Sequence, residues 1–312
     1  MVSEGGARSI PFACPVHKLL LDFNLRCPEC PGSYPQVGGI PILINNRNSV
    51  FAIEDYLGDE QNYSGASGYA GSLDNRSGLR QLYRRIMHRL METEPRRREF
   101  RVDDAIQRVR EENPLARILV IGSGDSHFGP DVVHTDVAFG RHVSCIADAH
   151  DLPFEAATFD ACVACAVLEH VADPYRCVEE IERVLKPNGW VYAETPFMQP
   201  VHMGAYDFTR FTFVGHRRLF RRFDEVASGI AGGPGASVAQ IIRSALCGLA
   251  TGRSKKFLRL AGVLLTLPIR ALDGFAARRP DAYDTASGFY FFGRRRAEPL
   301  PDREILAFYR GQ

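Results

Sequence analysis

The longest unbroken apolar run in the middle of the chain is Ala161 to Leu168. Small and apolar without alternation, it predicts a parallel strand covered on both faces. Asp173 before Pro174 reads as an N-cap followed by proline at the first helical position. Cys177, Val178, Ile181, Val184 and Leu185 then share one helical face. Asn188-Gly189 is read as the end of that helix, and Trp190 to Thr195 as the next strand. A strand–helix–strand unit of this kind crosses over right-handed. Upstream, Arg117 to Ile121 enters a Gly122-Ser-Gly124 turn, followed by short strands at Val132 to Thr135 and Val143 to Ala147. Only twelve residues separate Gly124 from Asp136, where a dinucleotide fold spends about twenty. The first two crossovers are therefore expected to be turns rather than helices.

Downstream, His216 to Phe223 reads as a helix, Glu225 to Ile230 as a strand, and Gly288 to Arg294 as a last strand. Between those strands, Ile241, Ile242, Ala245 and Leu249, then Phe257, Leu260, Val263, Leu264 and Leu267, predict two apolar-faced helices. Before the first strand, Leu79, Leu82, Tyr83, Ile86 and Leu90 make another helical stripe, with Arg80, Arg84, Arg85 and Arg89 opposite. Neighbouring acids balance these arginines, so the face reads as solvated and no nucleic-acid partner is expected. Asn45 to Gly78, rich in Asn, Ser, Gly and Tyr, reads as an irregular connector. Tyr56, Tyr63 and Tyr69 within it are read chiefly as packing or surface residues.

Composition changes this picture little. The net charge of +1 over 312 residues sets up no global field toward nucleic acid or anionic membrane. No signal peptide is read at the N-terminus, and Leu260 to Ile269 is half of a bilayer span. Eight scattered cysteines suit a reducing cytoplasm. Two pairs stand out: Cys14-Pro-Val-His17 and Cys27-Pro-Glu-Cys30 are knuckles with two-residue spacing, which together make a Cys3His tetrahedral zinc set. About forty residues cannot easily hold a core alone, so zinc would stabilise the module.

The series Asp148-Ala-His-Asp-Leu-Pro-Phe154, Phe159-Asp160, Leu168-Glu169-His170-Val and Arg183-Val-Leu-Lys-Pro-Asn-Gly189 resembles the central part of class I S-adenosylmethionine (SAM)-dependent methyltransferases of the type 11 kind. The N-terminal knuckles and the following Tyr34 to Leu43 resemble the short zinc-ribbon modules of the Trm112-like kind. The resemblance implies an α/β, Rossmann-like three-layer fold with a small zinc-ribbon-like module in front and a helical insertion before the last strand. The expected division is a module over 1–45, a linker and basic helix over 46–113, the methyltransferase domain over 114–297 with its insertion over about 232–286, and a tail over 298–312.

By the same resemblance Asp136 would hold the ribose hydroxyls of SAM and Asp148 its adenine amine, with Ala149 against the ring. Gly122 and Gly124 would cradle the cofactor, and Cys165 lies at the carboxyl end of the next strand, where ligands sit in such sheets. Val120 and Ser126 stand where the family usually has an acid and a third glycine. The nicotinamide fingerprint is absent, because His127 occupies its third glycine position. His202 and His170 are the candidate bases or acceptor contacts. Some quinone-pathway members have a metal-binding acid where this chain has Ala166, so no catalytic metal is expected. Asp207 and Arg210 read as an ion pair fixing the loop after the fifth strand.

The implied reaction is methylation at oxygen or nitrogen of a small molecule or a glycan- or lipid-linked intermediate. The alternative is a methyltransferase-like scaffold, or a protein that activates a partner, without SAM binding. The segment 236–275, with Arg253, Lys255, Lys256 and Arg259 between its helices, reads either as a cap over the site or as a peripheral membrane contact.

Overall fold

The computed structural model describes residues 10–57, 64–65, 69–70, 99–249, 251–271 and 273–311. The arginine-rich stripe over 77–90 and Tyr63 lie outside the described residues, as does the side chain of Tyr69.

One nine-stranded sheet organises the chain. Its strands are β1 (Gln36–Val37), β2 (Ile40–Leu43), β3 (Ile118–Ile121), β4 (Val132–Asp136), β5 (Cys145–Ala147), β6 (Phe159–Cys165), β7 (Leu185–Pro196), β8 (Phe223–Gly232) and β9 (Gly288–Arg295). The spatial order is β1-β2-β5-β4-β3-β6-β7-β9-β8. From β2 to β7 every neighbouring pair is parallel, and β9 runs antiparallel to both β7 and β8. The chain winds outward from β3 to β5 and then returns to β6. The strand order thus reverses between β3 and β6, which opens a crevice at the carboxyl ends. No helix separates β3 from β4 or β4 from β5, as the short spacing predicts.

Both faces of the central strands are covered. Leu119, Ile121, Cys162 and Ala164 pack with Cys177, Val178 and Ile181 of helix α2 (Pro174–Val184). Ile118, Val120, Ala161 and Val163 pack with Ala105, Ile106 and Val109 of helix α1 (Val102–Glu112). Asp173 caps α2 by accepting from Arg176 N at 3.1 Å, with Pro174 in the first turn. That helix ends at Val184, not at Asn188-Gly189 as the sequence suggests. Ala157 N and Thr158 N take the carbonyls of Arg183 and Val184 at 2.9 and 2.8 Å. Pro187 in turn disfavours helical backbone at Lys186, so the chain is already extended from Leu185.

The N-terminal segment also departs from a free-standing module. Its strand β2 pairs in parallel with β5, Ile42 against Ile146 and Leu43 against Ala147. Ala13 N donates to Pro153 O at 2.8 Å, and the Phe12 ring lies 6.0 Å from that of Phe154. The Cys/His segment is therefore built onto the sheet edge.

Helix α3 (Phe213–Leu219) precedes β8. Between β8 and β9 stand helices α4 (Pro234–Gly248) and α5 (Gly252–Ala271) with the short α6 (Asp273–Ala276) and α7 (Ala282–Thr285). Asp273 closes the base of this insertion, accepting from Gly235 N at 2.6 Å and Ala236 N at 2.8 Å. The two longer helices approach closely at Gly262, where a Cβ would come within 3.2 Å of Arg243 Cγ. The sequence places both helices correctly, but Phe257, Leu260, Leu264 and Leu265 of α5 face outward. A final short helix, α8 (Asp302–Ile305), completes the chain.

Candidate active site

The crevice at the reversal point has a volume of about 80 Å³. Asp136 ends β4 and is buried. Its Oδ2 accepts from Gly124 N at 2.8 Å and its Oδ1 from Ala138 N at 2.9 Å. The carboxylate thus fixes the glycine turn. Gly122 has φ +61, and a Cβ there would strike Val167 Cγ2 at 2.4 Å. Gly124 has φ +52 with nothing within 4 Å of an added Cβ. The first glycine is thus required by packing and the second leaves open space, as a cradle for a ligand needs.

Asp148 follows β5 and is also buried. Its Oδ1 accepts from His150 N at 2.9 Å and from His150 Nδ1 at 2.6 Å, and its Oδ2 from the Ser49 hydroxyl. His150 Nε2 accepts from Asp173 N at 2.9 Å, which fixes the tautomer with the proton on Nδ1. Ser49, Val50 and Phe51 come from the connector after β2. Val50 and Phe51 form one wall of the crevice, and Phe51 stacks on Tyr206 at 5.4 Å and 9°. Tyr56 is buried, donating to Val137 O at 2.7 Å; it is a packing residue.

The crevice is lined by Gly122, Asp136, Asp148, Ala149 and His170 from the sequence reading, with Gly124 adjoining through its bond to Asp136. Cys165 is not among the lining residues. It shares the face of Ala161 and Val163 toward α1, with its Sγ 4.0 Å from Glu194 Oε1; Ala166 and Val167 take its place on the wall. The residues that sequence reasoning missed are Ser49, Val50, Phe51 and Tyr206. No periodicity marks them, since three sit in an irregular loop and Tyr206 in a single 3-10 turn.

His170 donates from Nδ1 to Tyr206 O at 2.8 Å. His202 stands beside it, ring centroids 4.7 Å apart at 85°, on a loop that Asp207 organises. Asp207 pairs with Arg210 and accepts from His202 N at 2.8 Å. Glu169 holds the His202 imidazole above its ordinary pKa, with Asp207 adding to the effect against burial and Arg210. His202 also lines a second cleft, of about 310 Å³, beneath the insertion, with Gln240, Arg243 and Arg259. Burial pulls the Arg243 guanidinium below its usual pKa, the signature of a cation short of counter-charge.

Behind the crevice, Asp151 joins the N-terminal segment to α2. It accepts from Asn45 Nδ2 at 3.0 Å, Asn48 Nδ2 at 2.8 Å and Arg176 Nη2 at 2.8 Å, and faces Lys18 Nζ at 3.3 Å. Burial alone would raise its pKa, but Asn48, Arg176 and Lys18 together hold it below the ordinary carboxylate value. A depressed folded-state pKa contributes stability that is present above the ordinary value and lost as pH falls through the lower one. Asp151→Asn is expected to lose about 3 kcal/mol at pH 7 and to flatten acid unfolding below about pH 4, read by urea titrations at several pH values. Unchanged stability at pH 7 would contradict this role.

At the N-terminus the Cys14, His17, Cys27 and Cys30 donors all lie within 4.8 Å of one another. Cys14 Sγ is 3.7 Å from Cys30 Sγ, and His17 Nδ1 is 3.8, 3.4 and 3.5 Å from the sulfurs of Cys14, Cys27 and Cys30. The edges of a tetrahedral zinc site with such ligands are about 3.5–3.8 Å, so the donor set fits zinc.

Residues 128–193 match the family described as methyltransferase domain. The match spans the strands and strand-end acids at the centre of the sheet, and the strand order is the one expected of a class I, SAM-dependent methyltransferase domain. Among solved structures, the chain is similar to the cyclase SpnF (16% identity, 70% of this chain and 94% of that one, TM-score 0.38). It is also similar to a complex of the Haloferax volcanii Trm112 methyltransferase activator with a methyltransferase (16% identity, 62% and 89%, TM-score 0.36). A third is Haemonchus contortus phosphoethanolamine N-methyltransferase 2 with SAM (15% identity, 63% and 53%, TM-score 0.38). These likenesses are too distant to carry a function.

Proposed function

We propose that the protein transfers the SAM methyl group to an oxygen or nitrogen of an amphipathic acceptor, a small molecule or a glycan- or lipid-linked intermediate, that enters beneath the insertion. In this reading Asp136 holds the ribose hydroxyls, Asp148 and Ala149 meet the adenine, and Gly122 and Gly124 leave room for the methionine end. His170 and His202 face the acceptor, as base or as hydrogen-bond partner. SAM supplies an activated methyl carbon; the chain supplies alignment, worth up to about 7–11 kcal/mol in well-oriented reactions. Zinc fills the Cys14, His17, Cys27 and Cys30 set and holds the connector that walls the crevice.

The observation that carries the acceptor class is the contact between His170, on the crevice wall, and His202, on the wall of the cleft under the insertion. Over that cleft stands α5, whose Phe257 and Leu265 are 72% and 62% exposed; Lys255 lies in its first turn. Among the described residues no helix is long and apolar enough to cross a membrane, so the contact proposed is interfacial. Flotation of the full chain with anionic liposomes is expected to be strong, and a Phe257→Asp/Leu265→Asp variant is expected to stay at the bottom of the gradient. Equal flotation of the two would sink the lipid-facing acceptor and leave a soluble one. A second reading, a scaffold without SAM binding, has one observation in its favour: Ser49 and His150 already occupy the Asp148 carboxylate. Calorimetry with SAM separates the two, since a scaffold gives no heat at millimolar ligand.

A further inference from the structure

Glu169 is 0% exposed, and neither of its carboxylate oxygens has a hydrogen-bond partner. Among the described residues no other carboxylate is left with both oxygens in that condition. An isolated buried carboxylate is strongly disfavoured unless a cation neutralises it. Two imidazoles face it: His170 Nε2 at 3.6 Å and His202 Nε2 at 3.7 Å, both from Oε1. One donor atom from each of the three residues falls within 4.8 Å of the other two. The far nitrogen of the first ring is already spoken for, because His170 Nδ1 donates to Tyr206 O at 2.8 Å. In neutral His170 that leaves the Nε2 lone pair aimed toward the carboxylate, the tautomer that ligates metals. His202 is steadied by Asp207, whose Oδ2 lies 3.5 Å from its Nδ1. Arg210 Nη2 lies 3.3 Å from His202 Nδ1, on the far side of that ring from Glu169, and the three side chains converge on one point.

We infer that Glu169, His170 and His202 form a divalent transition-metal site of the two-histidine, one-carboxylate kind. Ligand distances of about 2.0–2.2 Å place such donors about 3.0–3.6 Å apart, so a shift of a few tenths of an ångström brings each imidazole into that range of the Glu169 carboxylate. Two nitrogens and one oxygen suit zinc or ferrous iron rather than magnesium or calcium. The sequence points away from a metal here, because Ala166 offers no acid; the third ligand instead arrives from the loop after β7. Three protein ligands leave coordination positions open. His170 belongs to the wall of the cofactor crevice and His202 to the cleft under the insertion, so an acceptor oxygen can take an open position between them. The cation lowers the pKa of that hydroxyl. Its proton leaves to water, and its oxygen forms the new bond to the methyl carbon. The carbon–sulfur bond breaks with its electron pair staying on sulfur. This acceptor role rests on the methyl-transfer reading; the metal site does not.

The test is metal content of the full chain after equilibrium dialysis against zinc. Wild type is expected to retain one more equivalent than Glu169→Gln, and one more than His202→Ala, while Cys14→Ser keeps this equivalent. Glu169→Gln preserves shape, and far-ultraviolet circular dichroism verifies its fold. His202 lies on a loop with its side chain 39% exposed, so its truncation gives the same readout should the Gln variant fail to fold. Equal zinc in wild type and either folded variant overturns the site. A missing SAM signal with the extra equivalent present would overturn only the methyl-transfer reading.

Discussion

Replacing Asp136 with asparagine is expected to weaken SAM binding about a hundredfold while the protein stays folded. The carboxylate does two jobs from one position. Each oxygen already receives a backbone N–H, from Gly124 at 2.8 Å and Ala138 at 2.9 Å, and in the proposed reading the ribose hydroxyls donate to the same carboxylate. Asparagine keeps one acceptor oxygen and turns an amide donor toward a group that is itself a donor. A hydrogen bond to a charged group contributes about 1.5–3 kcal/mol, and each 1.4 kcal/mol is about tenfold in affinity. Losing one such bond and disturbing the Gly124 turn together give the hundredfold figure. Calorimetry with SAM on both proteins checks it. A change of less than threefold would mean that the ribose lies elsewhere and that Asp136 serves only the turn.

Stripping zinc from the N-terminal set is expected to have the larger structural effect. Structural zinc contributes roughly 10–16 kcal/mol of apparent binding energy in small domains, far more than the scant apolar core of this segment supplies. Cys14→Ser, or chelation of the wild type, is expected to make the segment before Asn45 susceptible to proteolysis and to lower the melting temperature. SAM affinity should fall as well, because the same chain continues into Ser49, Val50 and Phe51, which touch Asp148 and wall the crevice. Limited proteolysis with and without chelator reads the first effect and calorimetry the second. A Cys14→Ser protein with wild-type protease resistance and SAM affinity would show the cluster to be ordinary packed cysteines.

The central strands and the strand-end acids were legible because a buried parallel strand and the acid after it are local signals. Ala161 to Ala164 and Ile118 to Ile121 are apolar on both faces, and Asp136 ends its strand while Asp148 directly follows its own. The side of the sheet to which Cys165 points was not legible. Alternation along β6 puts Cys165 on the face of Ala161 and Val163, and a run that is apolar on both faces does not tell which of them looks into the crevice. The meeting of Glu169 with His202 was hidden for a different reason. They sit on two loops after two parallel strands, brought together only by the pairing of β6 with β7. Ser49 and Phe51 read as connector because polar, irregular sequence looks the same whether it faces water or a ligand. Strand β2 was hidden among turn residues, since four apolar residues after Gly38-Gly39 do not announce which edge they will join.

The pairing of Leu43 with Ala147 also has a consequence during synthesis. The Cys/His segment leaves the ribosome before β5, and although β1 pairs with one edge of β2 at once, the other edge has no partner until about a hundred further residues have followed. Contacts that far apart in sequence form late and slow the search for the native state. Until then the edge of β2 and the apolar side chains of Ile42 and Leu43 are open to other strands. Early metal capture would hold the segment in a single shape through that wait, which makes the nascent chain most prone to aggregate when zinc is scarce.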